Sequence, residues 1–197
     1  MNRLNKYWLI LLLVFAMFCL QSCHEEPTVA PKPQGYFRID LPQHAYQQLD
    51  TNLLPFTFQY SSSAICSFED KNGAIWIHVH YPAQRATFEM TYLPIKNQNF
   101  RELMLIDEDF VKLHQVKADN IENSFVQDDS SRLFGKIYDI EGKEVACPIQ
   151  FWLSDTTHHY LRSSLYFDFT PNNDSLQPVI QYLREDMMQM INTFEWK

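Results

Sequence analysis

The sequence predicts an α+β domain: a mostly antiparallel sheet with a mid-chain helix and a C-terminal helix packed on it. Two observations predict it. Period-two apolar alternation dominates residues 35–92 and returns over 120–169, while a period of three to four residues appears twice, at about 99–116 and again after Asp174. Strands, helix, strands, helix at these lengths fit a sheet with helices packed on it better than a regular β-α-β alternation.

Within the predicted domain, residues 35–197, Gly35–Leu41 reads as the first strand, ended by Pro42. A looser segment to Leu54 has room for one helical turn. Phe56–Tyr60 alternates, Ile65–Glu69 is a further short strand, and Asn72-Gly73 is a hairpin turn signal. Ala74–Tyr81 places Ile75, Ile77, Val79 and Tyr81 on one face and Trp76, His78 and His80 on the other. Gln84–Tyr92 is its antiparallel partner. Leu103, Ile106, Phe110 and Leu113 then mark an amphipathic helix over about 99–116. Strands are expected at 120–126, 132–140, 145–154 and 158–169. Asp174 or Ser175 should cap the last helix, with Pro178 in its first turn and Leu176, Ile180, Leu183, Met187, Ile191 and Phe194 on its apolar face.

The chain begins with a different kind of signal. Arg3 and Lys6 precede a 14-residue apolar run from Tyr7 to Leu20, too short to span a bilayer comfortably, since spanning takes about 20 residues. A charged start, an apolar run and a small residue before a cysteine describe an export leader, residues 1–22. Leu20-Gln21-Ser22-Cys23 resembles a bacterial lipobox, which makes Cys23 the acylated first residue of the mature protein. Residues 23–34, with Pro27, Pro31 and Pro33, read as a lipid-anchored, semi-rigid tether.

Composition narrows the function classes. At 46% hydrophobic and 15% aromatic, the body is no disordered segment. Loss of the leader's two basic residues takes the net charge from −8 to −10, and no basic cluster offsets it, which excludes nucleic acid as a partner. Attachment to the membrane therefore falls to the acyl chains on Cys23. Cys66 and Cys147 are a candidate disulfide in an oxidising envelope; a bonded pair and two free thiols both remain open.

No catalytic motif is present. There is no Gly-x-Ser-x-Gly elbow, and four glycines leave little material for a phosphate-cradling loop. His78 and His80 share a strand face and are the best metal-ligand pair, but no further ligands follow at recognisable spacing. Glu108 and Asp109 belong to the solvated side of the mid-chain helix, and the Met187-Met188-x-Met190 cluster is packing material. The expectation is a protein without enzymatic activity or cofactor. Tyr36, Phe37 and Arg38, presented just after the tether, are partner-binding candidates by residue type, although alternation sends at least one of the two aromatics inward. A small ligand or glycan held between sheet and helices is the alternative.

Two long motifs carry a family resemblance. Pro31-Lys32-Pro33-Gln34-Gly35-Tyr36-Phe37-Arg38-Ile39-Asp40-Leu41-Pro42, with Tyr46-Gln47 after it, resembles the opening of the gliding motility lipoprotein GldD family. Leu161-Arg162, Leu165-Tyr166-Phe167 and Pro171-Asn172-Asn173-Asp174-Ser175-Leu176-Gln177-Pro178-Val179 resemble its end. The family has Arg where Gln34 stands here, so a basic contact at that position is not implied. The resemblance implies a Bacteroidetes cell-envelope lipoprotein needed for gliding motility and type IX protein secretion, with protein partners among those envelope components and no catalytic residues. His24 after the lipid cysteine, rather than Asp, implies sorting to the outer membrane, with the periplasmic face and the cell surface both open. The element order also resembles the Mog1/PsbP-like arrangement.

Overall fold

Alternating sequences need partners on both edges, and here nearly all of them find one sheet. The computed structural model describes Trp8, residues 39–95 and residues 100–197. Three short strands come first, β1 (Tyr46–Gln48), β2 (Phe56–Thr57) and β3 (Gln59–Ser61). Next come β4 (Ile65–Lys71), β5 (Ala74–Tyr81), β6 (Ala86–Pro94) and helix α1 (Phe100–Leu113), which runs into a 3₁₀ turn at His114–Val116. Then follow β7 (Asn120–Asp128), β8 (Leu133–Glu141), β9 (Ile149–Ser154), β10 (His159–Phe167), helix α2 (Asn173–Asn192) and β11 (Glu195–Trp196). Seven strands form the main sheet in the order β4-β5-β6-β10-β9-β8-β7, every neighbour antiparallel. Two small ladders, β1 with β3 and β2 with β11, lie apart from it in the hydrogen-bonding pattern.

The α+β expectation holds, and the two faces of the sheet explain both helices. On one face Ile77, Val79, Phe88, Leu161, Leu165 and Ile149 are all but inaccessible and form one core with Val179, Leu183, Met187 and Ile191 of α2. Burying side chains of this size stabilises by about 1.5–3 kcal/mol each. The other face carries a smaller cluster in which Leu103 and Val111 of α1 meet Tyr138, Ile140, Trp152 and Tyr160. Gly135 of β8 brings the strands of this half close together. A Cβ there would stand 2.5 Å from the Trp152 carbonyl oxygen and 2.7 Å from Leu153 Cδ2, so only glycine fits.

The turn at Asn72-Gly73 is as expected. Both residues have positive φ, 57° and 87°, the geometry that closes a two-residue hairpin. Several boundaries differ. Of the predicted strand Gly35–Leu41, residues 35–38 lie outside the described residues, and Ile39–Leu41 has no regular structure because β4 and β7 are the sheet's edges and neither pairs with it. The looser segment holds β1 instead of a helical turn. Phe56–Tyr60 is not one strand: it breaks at Phe58, so that β2 pairs with β11 and β3 with β1. Helix α2 begins at Asn173, before the expected caps, and Asn172 at its N-cap makes no side-chain capping bond. Asn173 is held instead by bonds from Nδ2 to the carbonyls of Gly142 (2.8 Å) and Val145 (2.9 Å). Pro178 consequently falls in the second turn, where its missing N–H leaves the Asp174 carbonyl without the usual helical donor. The leader apart from Trp8, Cys23, the tether and the candidates Tyr36, Phe37 and Arg38 lie outside the described residues.

Candidate functional site

Helix α1 covers only part of the second face. Beside it opens a cleft of about 330 Å³, at the lower end of the size range of small-molecule sites. Its floor is the middle of the sheet, where register aligns Trp76 with Thr91, Thr91 with Arg162 and Arg162 with Trp152 across β5, β6, β10 and β9. A parallel row brings together His78, Glu89, Ser164, Gln150 and Tyr138. Phe110, Leu113 and His114 form the wall on the helix side.

The orientation of α1 shapes this cleft and was not what the apolar spacing suggested. Leu103 faces the sheet as expected, but its buried companions are Asp107 and Val111. Ile106, Phe110 and Leu113 are 45%, 40% and 72% exposed, and the last two flank the cleft. A buried carboxylate in place of an apolar residue needs partners. Asp107 accepts a hydrogen bond from the Tyr160 hydroxyl and lies 3.6 Å from the Arg162 guanidinium. Burial pushes the Asp107 carboxyl above its ordinary pKa, against the opposing pull of Tyr160 and Arg162. Burial and the neighbouring Asp107 together push the Tyr160 phenol far up. Arg162 is fixed on a second side by the Phe110 ring, 4.7 Å from centroid to guanidinium carbon.

Further groups of the cleft wall are polar and unpartnered, the Ser163 hydroxyl among them. The Tyr138 hydroxyl and the Trp152 indole N–H are buried and make no hydrogen bond, a costly state for such groups. Burial also lowers the pKa of His114.

The sequence-predicted candidates fall differently. His78 lines the cleft and His80 lies further along the same strand face, its Nδ1 2.9 Å from Thr87 Oγ1. Among the described residues no three His, Cys, Asp or Glu side chains converge as a metal site. Asp109 pairs with Lys112 at 2.8 Å, and Glu108 reaches Lys136 of β8 at 3.6 Å. Met187 and Met190 are packed in the core. Cys66 and Cys147 are both free thiols, which corrects the bonded alternative. Cys66 is opposite Val79, which is opposite Phe88, which is opposite Leu165, and Cys147 lies against the Leu165 backbone. Three strand spacings of about 4.8 Å separate Cys66 from Leu165, whereas a disulfide needs Cα atoms within about 7 Å. Burial pushes both thiols up, Cys66 to about 11 and Cys147 to about 12, which makes them poor nucleophiles.

Sequence reasoning missed Asp107, Arg162, Tyr138 and Trp152 as site residues. The readable signal was Asp107 itself, a charge at the i+4 position from Leu103 and i−4 from Val111, inside the helix's buried stripe.

Fold and site together define a sheet-based α+β domain whose second face is only half covered by a helix and carries a polar cleft. A family model described as gliding motility lipoprotein GldD matches residues 26–196, and the chain belongs to that family. It is thus a cell-envelope, lipid-anchored lipoprotein of the gliding machinery. No curated protein sequence matches it. Among solved structures it is similar to the solution structure of the cyanobacterial PsbP protein (CyanoP) from Synechocystis sp. PCC 6803, with 8% sequence identity and a TM-score of 0.48, over 84% of this chain and 100% of that one.

Proposed function

We propose that this lipoprotein is a non-enzymatic accessory subunit that supports type IX protein secretion as well as gliding, held at the outer membrane by acylated Cys23. The family match over residues 26–196 is the observation that carries this reading. The described domain is consistent with a binding role, because its buried carboxylates are engaged by fixed partners: Asp107 by Tyr160 and Arg162, Asp155 by backbone amides, Asp186 by His44. An anchor and a short tether confine the domain to the membrane plane, which raises its effective concentration toward envelope partners. Tyr36, Phe37 and Arg38, at the junction of tether and domain, are the residues proposed to meet a protein partner.

The test is deletion of the gene, with complementation by the wild-type copy, followed by assay of type IX cargo in the culture medium. Retained cargo in the deletion strain and recovery on complementation are expected. Normal secretion in the deletion strain would sink the proposal.

A further inference from the structure

The cleft beside α1 has a definite chemistry, and we propose that it binds an uncharged saccharide. The proposal stands on the cleft alone and does not depend on the secretion role.

Three features select this ligand class. First, the rim is aromatic and accessible. Trp76, 38% exposed with the Lys71 ammonium 4.1 Å from its ring centroid, stands at the β5 side and Phe110, 40% exposed with Arg162 against its ring, at the helix side, with Tyr166 also reaching the surface. Flat apolar faces of this kind stack against the C–H faces of a sugar ring. Second, the floor offers donors and acceptors side by side: Gln150 supplies both, Glu89 accepts and Arg162 donates. A lipid chain would strip water from these groups and return no hydrogen bonds, so an apolar ligand is disfavoured. Third, the charge is wrong for an anion. Arg162 is compensated by Asp107, whereas Glu89 has no ion-pair partner among the described residues. A carboxylate or phosphate would therefore face an unopposed negative charge in a chain that is already acidic.

The location argues against a peptide. Strand addition needs a free sheet edge, but the cleft lies over the face of β5, β6, β10 and β9, all interior strands of the sheet. The hydroxyl of Tyr138 and the indole N–H of Trp152, buried in the wall without partners, are further groups that a polyhydroxyl ligand can satisfy after small side-chain adjustment.

The test uses the full-length protein in a detergent without a sugar headgroup. N,N′-diacetylchitobiose, cellobiose and maltose are titrated separately, with digalacturonate as the charged control, and binding is read by tryptophan fluorescence and calorimetry. At least one neutral disaccharide should bind saturably, with a dissociation constant in the millimolar range or tighter. Trp76→Ala should weaken that binding at least tenfold, and Trp76→Phe should retain most of it. Glu89→Gln, an isosteric change at an exposed position, should weaken it several-fold without affecting the fold. Absence of saturable binding by all three neutral sugars overturns the proposal. So does binding that is indifferent to both Trp76→Ala and Glu89→Gln, or tighter binding of digalacturonate.

Discussion

His44 Nδ1 stands 2.6 Å from Oδ1 of Asp186, a carboxylate on α2 with no exposed surface. The same imidazole reaches Glu185 with Nε2 at 3.0 Å and stacks on Tyr182 with ring centroids 4.3 Å apart. His44 belongs to the irregular segment by which the chain enters the domain. The contact therefore fastens that entry segment to the last helix, 142 residues away in sequence.

Removing the imidazole should be felt as a loss of stability. Asp186 Oδ2 already lacks a partner, so His44→Ala leaves a buried carboxylate with still less support. The expected cost is about 1–3 kcal/mol, read from the midpoint of urea unfolding. Asp186→Asn in the His44→Ala background should recover part of it, because the uncompensated charge is then gone. A double-mutant cycle with no coupling between the two positions would contradict the contact as described.

A second prediction concerns the carboxylate under α1. Tyr160→Phe deletes the hydroxyl that donates to Asp107, leaving Arg162 as the remaining favourable partner. The variant should lose about 1–3 kcal/mol at neutral pH. The loss has a pH signature. Asp107 already has a raised pKa in the folded state, and losing a donor to its ionised form raises it further. The penalty is thus present while Asp107 is ionised and shrinks as pH falls through its raised folded pKa. Equal destabilisation on both sides of that range would mean that only packing was lost.

The fold was legible where side-chain period and burial agree. Ala74–Tyr81 reads the same in sequence and structure because its inward face is wholly apolar and its turn, Asn72-Gly73, permits only one closure. The breaks were not legible, because their causes lie far away in the chain. Phe58 interrupts its strand when Trp196, beyond α2, pairs with Phe56. The Gln59 amide N–H then donates to Thr193 Oγ1 at 2.8 Å. The site was illegible for a related reason. Apolar spacing assigned Ile106, Phe110 and Leu113 to the buried face, whereas the hydroxyl of Tyr160 and the guanidinium of Arg162 make Asp107 the better-satisfied inward residue. Apolar spacing alone cannot anticipate partners supplied by a strand some fifty residues later.

Acid stability gives a third prediction. Asp155 is 6% exposed, and burial alone would raise its pKa. The amides of His158 at 2.7 Å, His159 at 2.8 Å and Thr157 at 3.0 Å outweigh that and hold it down, at about 2. A folded-state pKa below the unfolded value stabilises above the unfolded pKa, and that stability is lost as pH falls through the folded one. The contribution, on the order of 1–2 kcal/mol, should therefore disappear between about pH 4 and pH 2. Asp155→Asn should flatten the stability profile in that window. An unchanged profile would show that the turn at 155–159 is held by its backbone alone.

The fourth prediction returns to the anchor. Sixteen residue steps separate Cys23 from Ile39, so if Cys23 carries the proposed acyl anchor, even a fully extended tether reaches only about 55 Å from the membrane. Each buried methylene of an acyl chain is worth about 0.8 kcal/mol, and stable attachment needs more than one chain. The net charge of −8 gives an anionic membrane surface no electrostatic hold on the chain. Cys23→Ala should therefore give a domain with unchanged unfolding behaviour, because its described core includes no residue before Leu41. The variant should move from the membrane to the soluble fraction on cell fractionation. It should also fail to restore gliding to a deletion strain, since free diffusion removes the concentration advantage of the membrane plane. Full restoration of gliding by this unlipidated form would show that the domain acts without its anchor, and would leave the cleft and the entry segment at His44 as the parts that matter.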